Sequence, residues 1–231
     1  EVIVPLAKQF ISSYRDLPKA LYQIQNKFRM ELRAKSGLLR GREFLMKDLY
    51  SFHADEADLD SFYERVRRAY ETIFKRVGLG AHTHFTYASG GTFSEFSHEF
   101  QALCEAGEDI IYLCKGCSEA INKEIFKTGQ VCPGCGGKEF EEKKAIEVGN
   151  IFKLKTKFTE PFELTFAGSD GAKHYPLMGC FGIGIGRLLG TIVEIHSNDK
   201  GILWPESVAP YQAHLISASP ENKEVSHATD Q

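Results

Sequence analysis

Residues 22–53 read YQIQNKFRMELRAKSGLLRGREFLMKDLYSFH, and the spacing within this stretch decides the fold. Gln23, Gln25, Lys27, Arg29 and Glu31 alternate with Tyr22, Ile24, Asn26, Phe28, Met30 and Leu32, the period-two pattern of a strand with one polar face. Taken alone, such a strand reads as amphipathic, with its polar row in solvent. The loop that follows changes that reading. Arg33, Lys35, Arg40, Arg42 and Lys47 gather around Gly37 and Gly41, and the chain returns through Phe44, Met46, Asp48 and Tyr50 at strand spacing. A hairpin carrying several guanidinium groups, a carboxylate and an aromatic ring is equipped to hold a nucleoside triphosphate.

The residue types suit that task. Arg29, an always-charged planar donor, can bridge a phosphate and a carboxylate, while Glu31, two residues on along the same face, can accept from an exocyclic amine. Arg40 can reach a terminal phosphate from the loop, and Phe44 offers a flat face to a purine. A second anchor lies at 178–194. Gly182, Gly184 and Gly186 alternate there on one expected strand face, clearing room for a flat ligand, and Arg187 follows as the chain turns into an apolar helix over 188–195. A dinucleotide-binding reading fails: its third glycine would fall at Arg187 or Leu189, and the acidic partner and repeating strand–helix units are missing.

Phe28, Arg29 and Glu31, then Arg40, Phe44 and Asp48, match motif 2 of the class II aminoacyl-tRNA synthetases, and the alternate glycines with Arg187 resemble motif 3. The wording of 22–29, 40–53 and 179–187 resembles the bacterial-type prolyl-tRNA synthetase family, and the resemblance extends over residues 1–216. It implies an α+β class II catalytic fold, a mostly antiparallel sheet of about six or seven strands flanked by helices. It also implies ATP-dependent, Mg²⁺-assisted activation of proline to prolyl-adenylate and transfer to tRNA(Pro), with Arg29, Arg40 and Arg187 as the catalytic set. On the same resemblance ATP is held by Arg29, Glu31, Arg40, Gly41, Phe44, Glu147, Asn150, Gly184, Gly186 and Arg187, the last lying over the purine opposite Phe44. Proline is held by Arg29, His98, Glu99, Phe152, Gly179 and Cys180, with Glu99 sensing its charged imino nitrogen. Asn150 stands where the family has His and Lys155 where it has Gly, and Ser94 to Phe96 are extra residues after the Gly90–Gly91–Thr92 turn. On the residues alone, His98 and Glu99 read as ordinary surface groups and Cys180 as a buried structural thiol.

The chain of 231 residues is 42% hydrophobic and 12% aromatic with a net charge of -3, which suits a single globular core. No apolar run approaches the roughly 18 residues of a membrane span, and the start lacks a signal pattern, so a cytoplasmic protein with no membrane partner is expected. Residues 1–47 hold ten Lys or Arg against four acids, which favours a polyanionic ligand near that end. A short helix and a loop are expected before the hairpin. After it, Leu59, Phe62, Tyr63, Val66, Tyr70, Ile73, Phe74 and Val77 recur at helical spacing, from an acidic opening at Asp55 to a stop at Gly78 and Gly80. This reads as a core-packing helix, with Arg65, Arg67 and Arg68 on its solvated side. The resemblance places Glu1 just after a Thr-x-Glu loop that contacts substrate, with the dimer-forming motif 1 further upstream. A fragment of a homodimeric enzyme is therefore expected. Its catalytic core spans 1–204, and 205–231 hold a linker and the start of a truncated anticodon-binding domain whose first strand runs through Val208, Tyr211, His214 and Ile216.

Residues 112–145 stand apart. Cys114 and Cys117, then Cys132 and Cys135, form two Cys-x2-Cys pairs separated by 14 residues, with Pro133, Gly134, Gly136 and Gly137 sharpening the second. Four thiolates at that spacing suit one structural Zn²⁺. Two disulfides or idle thiols are the alternatives; a cytosolic compartment disfavours the first, and the second leaves the knuckle glycines unexplained. This zinc-ribbon-like insert occupies the place where many members of the resembling family carry an editing domain, so none is expected. Two rival readings are another class II specificity (threonyl, seryl or glycyl) and a noncatalytic nucleic-acid-binding module built around the ribbon.

Overall fold

The alternation of the opening stretch builds a strand, and the return run pairs with it. In the computed structural model, which describes residues 2–91, 93–94, 96–213, 215–217, 221–223 and 227–228, β1 (Lys19–Phe28) lies antiparallel to β2 (Glu43–His53), with Gln23 opposite Asp48 and Lys27 opposite Phe44. The further strands are β3 (Thr83–Ser89), β4 (Phe96–Leu103), β5 (Asp109–Cys114), β6 (Ala120–Asn122), β7 (Phe140–Lys155), β8 (Phe166–Ala167), β9 (Lys173–His174), β10 (Leu177–Gly184), β11 (Ser197–Asn198) and β12 (Gly201–Ile202). Among the described residues eight of these form one sheet, in the order β1-β2-β10-β7-β4-β3-β6-β5, antiparallel except for β3 beside β6. The expected six or seven strands become eight because the cysteine segment gives β5 and β6 to the main sheet. The 16 residues of β7 make this possible: its first part pairs with β5, and its second part lies between β4 and β10.

Helices cover one face. In α2 (Glu56–Arg76) the Asp55 carboxylate accepts from the Asp58 N–H at 2.9 Å and caps the helix. Its buried stripe runs through Leu59, Tyr63, Val66, Tyr70 and Phe74, and the last four pack with Phe100, Val148, Ile151, Phe181 and Ile183 of the sheet and with Leu188 and Ile192 of α3 (Ile185–Ile195). A smaller cluster joins α1 (Ile3–Ala7) to Phe52, Leu154, Leu164, Phe166 and Met178. No helix among the described residues is long and apolar enough to cross a membrane.

The ligand-facing role expected of the polar row of β1 fits its position. α2 and α3 pack on β2, β7 and β10, while β1 is the sheet edge. Its apolar row therefore extends past the helices, with Tyr22 and Phe28 each 75% exposed, and Gln23 and Lys27 lie half-buried on the opposite face. That face carries the clefts. Arg67 departs from expectation: its guanidinium lies 3.7 Å over Phe85 and pairs with Glu119 at 2.8 Å. Beyond Trp204, the described residues form a 3₁₀ turn at Glu206–Val208 and no strand, and His214, Thr92 and Glu95 fall outside the described residues.

Candidate active site

Two clefts adjoin on the face of the sheet opposite α2 and α3, the second bounded partly by α1. The first, of about 130 Å³, is lined by Arg29, Glu31, Arg40, Gly41, Phe44, Glu147, Asn150, Gly184 and Arg187, nine of the ten residues expected at ATP. The second, of about 550 Å³, is lined by Gln23, Gln25, Lys27, Asp48, Tyr50, Phe152 and Cys180 among others. Arg29, Met46, Asn150 and Gly182 belong to both walls. Gly182 is glycine for a visible reason: a Cβ there would meet Met46 Cε at 2.6 Å and Asn150 Oδ1 at 3.0 Å.

The three arginines are held differently. Arg29, just past β1, bonds through its backbone N–H to the Arg42 carbonyl at 2.9 Å and places its guanidinium 5.2 Å from the Phe44 ring centroid. Arg187 donates through Nε to the Leu39 carbonyl at 2.9 Å and through Nη1 to the Glu147 carbonyl and carboxylate, both at 3.2 Å. Phe44 is thus stacked by Arg29, while Arg187 ties the loop to β7. Arg40 donates through Nε to Glu31 at 3.0 Å and through Nη1 to Glu108 at 2.7 Å. Glu31 also accepts from the Arg33 N–H at 2.9 Å. The Arg33 N–H, then Arg40, hold the Glu31 carboxyl below its usual range. Both oxygens of the group expected at an exocyclic amine are therefore engaged. In the second cleft Lys27 pairs with the buried Asp48 at 2.7 Å.

Four expected site residues lie elsewhere. Gly186 is in α3, past the end of β10, so the glycine alternation stops at Gly184. Gly179 turns toward the core, where a Cβ would meet the Phe181 ring at 2.6 Å and Ser51 Oγ at 2.7 Å. His98 points to the helix side: it bonds to Tyr63 Oη at 2.7 Å and stacks on Phe85 at 4.4 Å, and burial pushes its pKa down to about 4. It is a core histidine. Glu99 shares the cleft face but lines neither cleft; it accepts from Gln101 at 2.8 Å and Asn122 at 3.2 Å. Burial, then the nearby Glu147 carboxylate, pushes its pKa up to about 8. Glu108 and the pairing of Lys27 with Asp48 were missed, although Asp48 itself matches motif 2. Position 108 lies outside every recognised motif, and its importance comes from a contact 68 residues away.

The four cysteines converge. Their sulfurs all lie within 4.8 Å of one another, with Cys114–Cys135 at 3.6 Å and Cys117–Cys132 at 3.5 Å. Tetrahedral Zn–S bonds of about 2.3 Å imply sulfurs about 3.8 Å apart, so the set fits zinc. A Cβ on Gly116 or Gly137 would come within 3.3 Å of a ligand sulfur, and one on Gly134 would strike Glu119. Gly136 owes its identity to its backbone instead, at φ 74° in the left-handed region. Burial opposes ionisation of Cys114, but the Gly116 N–H and the Cys135 thiol outweigh it and bring its pKa down to about 7.

The family model of the tRNA synthetase class II core domain (G, H, P, S and T) matches residues 2–196. A proline–tRNA ligase of Anaplasma marginale (strain St. Maries) is 37% identical over 238 residues, covering 97% of this chain and 56% of that protein. A probable mitochondrial proline–tRNA ligase of Schizosaccharomyces pombe is 39% identical over 214 residues, covering 90% and 50% respectively. The chain thus spans about half the length of these curated relatives. In three dimensions it is similar to Giardia lamblia prolyl-tRNA synthetase in complex with prolyl-adenylate, with a TM-score of 0.70, 19% identity, and coverage of 90% of this chain and 35% of that one. Cryptosporidium parvum prolyl-tRNA synthetase complexed with halofuginone and AMPPNP gives a TM-score of 0.68 at 19% identity, covering 91% and 36%. With its hairpin arginines, its glycine-floored cleft and a family match running through almost the whole described sheet, the chain belongs to the class II tRNA synthetase core family.

Proposed function

We propose that this chain forms the adenylate-making centre of a proline–tRNA ligase, with ATP in the smaller cleft and proline in the larger. The observation that carries this reading is the shared wall: Arg29 lines both clefts, so one guanidinium can hold the α-phosphate of ATP and the carboxylate of the amino acid. A proline carboxylate oxygen attacks the α-phosphorus, the bond to the bridging oxygen breaks, and pyrophosphate leaves. No covalent enzyme intermediate is needed, so positioning and charge neutralisation by Arg29, Arg40 and Arg187 are the protein's main contribution. Phe44 supports the purine, and Phe152 and Cys180 bound the proline side of the second cleft. Proline specificity is favoured by the names of the relatives and by the prolyl-adenylate in the Giardia neighbour.

The Glu147 carboxylate accepts from Asn150 Nδ2 at 2.8 Å and Arg187 Nη1 at 3.2 Å, and its remaining lone pairs together with Asn150 Oδ1 are hard oxygen donors that would hold Mg²⁺, which supplies charge neutralisation of the phosphates when bound. Cys114, Cys117, Cys132 and Cys135 hold one structural Zn²⁺, with all four positions filled by protein. The adenylate is then transferred to the terminal ribose of tRNA(Pro), by a homodimeric enzyme of the cytoplasm. Proline-dependent exchange of pyrophosphate into ATP tests the reading. Exchange stimulated by proline and not by threonine, serine or glycine is expected; exchange driven by another of these, or none in the longest form of the protein, would remove it.

A further inference from the structure

Glu108 stands just before β5, outside both clefts, yet its carboxylate reaches across to the loop that carries Arg40. Oε2 accepts from Arg40 Nη1 at 2.7 Å and Oε1 meets Lys35 Nζ at 2.9 Å. Because Arg40 also donates through Nε to Glu31 at 3.0 Å, two of its three nitrogens are fixed by carboxylates. Nη2 has no protein bond among the described residues and stays free to meet an anion.

The post and the loop differ in rigidity. Glu108 is mounted on a turn pressed against the sheet: a Cβ on Gly107 would meet the Ala145 backbone at 2.3 Å, so the turn lies flat on β7. Its neighbour Asp109 begins β5 and accepts from the fully buried Gln101 at 2.9 Å. Within itself the loop has the Lys35 N–H to the Arg40 carbonyl at 3.0 Å and the Leu39 N–H to the Ser36 carbonyl at 3.0 Å, with Ser36 in the left-handed region at φ 56°; Arg187 anchors its Leu39 side at 2.9 Å, which leaves the Lys35 and Arg40 side to Glu108 and Glu31. A segment of this kind needs an outside contact to hold one position.

From this mounting we infer that Glu108 is a positioning residue, holding the loop through Arg40 and Lys35 at the place from which Arg40 meets the terminal phosphate. The inference rests on the nucleotide reading of the smaller cleft. It also gives the segment leading into the cysteine insert a purpose, since β5, paired with β6 and β7, anchors the turn from which Glu108 projects. Lys35 and Arg40 hold the Glu108 carboxyl below its usual range, so it stays ionised through neutral pH.

The test compares the unmodified protein with Glu108→Gln, in proline-dependent pyrophosphate exchange and in amide hydrogen exchange without ligand. Glu108→Gln should raise the KM for ATP roughly three- to tenfold, leave the KM for proline within about twofold, and speed exchange at the Lys35 and Leu39 amides. In an Arg40→Ala background the same change should add nothing further. Lys35→Met, which cuts one of the two contacts, should give a smaller shift in the same direction and serves if Glu108→Gln folds poorly. An ATP KM that falls would make Glu108 a competitor of the phosphates and overturn the inference, as would unaltered KM and amide exchange. Absence of proline-dependent exchange in the longest form of the unmodified protein would remove the functional reading itself, and this inference with it.

Discussion

Lys155 shows how one residue records a departure from a family. Its φ of 51° lies in the left-handed region, at a point where β10 and β7 slip register, Met178 facing Lys155 and Gly179 facing Lys153. Glycine occupies such a bulge without a Cβ clash, which accounts for its use in the resembling sequences. The lysine bonds in return with Glu56 at 2.9 Å, an exposed pair of small value. Lys155→Gly should therefore stabilise the fold by about 0.5–1 kcal/mol, read as a higher urea midpoint at unchanged slope. A lower midpoint would show that the ion pair outweighs the strain. Arg29 carries the opposite expectation. Arg29→Ala should leave the melting temperature close to that of the parent, because the side chain lies on a cleft wall, while removing on the order of 3 kcal/mol of transition-state stabilisation. Near-normal pyrophosphate exchange in that variant would detach Arg29 from the chemistry.

At the scale of elements, the hairpin was legible because its candidate site residues are local: Arg29, Glu31, Arg40 and Phe44 lie within one strand–loop–strand unit, although the expected strand stops at Phe28, so that Arg29, Glu31 and Arg40 are placed by the loop and not by period two. Period two does not say which face is covered. That depends on where α2 and α3 reach, so the strand alone reads as solvated, and only the basic loop beside it points its polar row toward a ligand cleft. His98 and Glu99 alternate in the same way, and only the sheet decides that the first joins the helix side and the second the cleft side. The cysteine insert was legible as a converging set of four thiols and not as part of the sheet, since three residues of β6 carry too little pattern. Its attachment sharpens one expectation. Glu119 pairs with Arg67 at 2.8 Å and accepts from Tyr87 Oη at 3.0 Å, while β5 stays laddered to β7. Cys132→Ser should thus release zinc, from one per chain to well below it by elemental analysis. Amide exchange should accelerate in the 115–138 knuckles, while pyrophosphate exchange falls far less than in Arg29→Ala. Full retention of metal in that variant, or none in the parent, would remove zinc from the insert.

For the molecule as a whole, the sheet divides a dry side from a wet one, and ionisable groups buried on each side set how stability follows pH. On the helix side burial holds His98 down to about 4 and Lys47 down to about 8. Both bind fewer protons folded than unfolded, so each makes stability rise with pH, His98 from about 4 to about 6.5 and Lys47 from about 8 to about 10.5. On the cleft side Glu99 does the reverse. Burial and Glu147 raise it to about 8 from 4.5, against the pull of Gln101 and Asn122, with Asp109 adding to the rise. The folded state then holds a proton that the unfolded state has released. This contribution is fully present below about 4.5 and is lost as pH rises to about 8. Glu99→Gln keeps an oxygen to accept from Gln101 and Asn122 but carries no titrating group. Thermal melts of both proteins at pH 5 and pH 8 separate this effect, because His98 and Lys47 titrate alike in the two and cancel in the difference. The variant should gain on the parent as pH rises, with the gap widest at pH 8. A gap that stays constant would mean that Glu99 is already ionised at pH 5, paired by a cation on the cleft face instead of protonated beside Glu147.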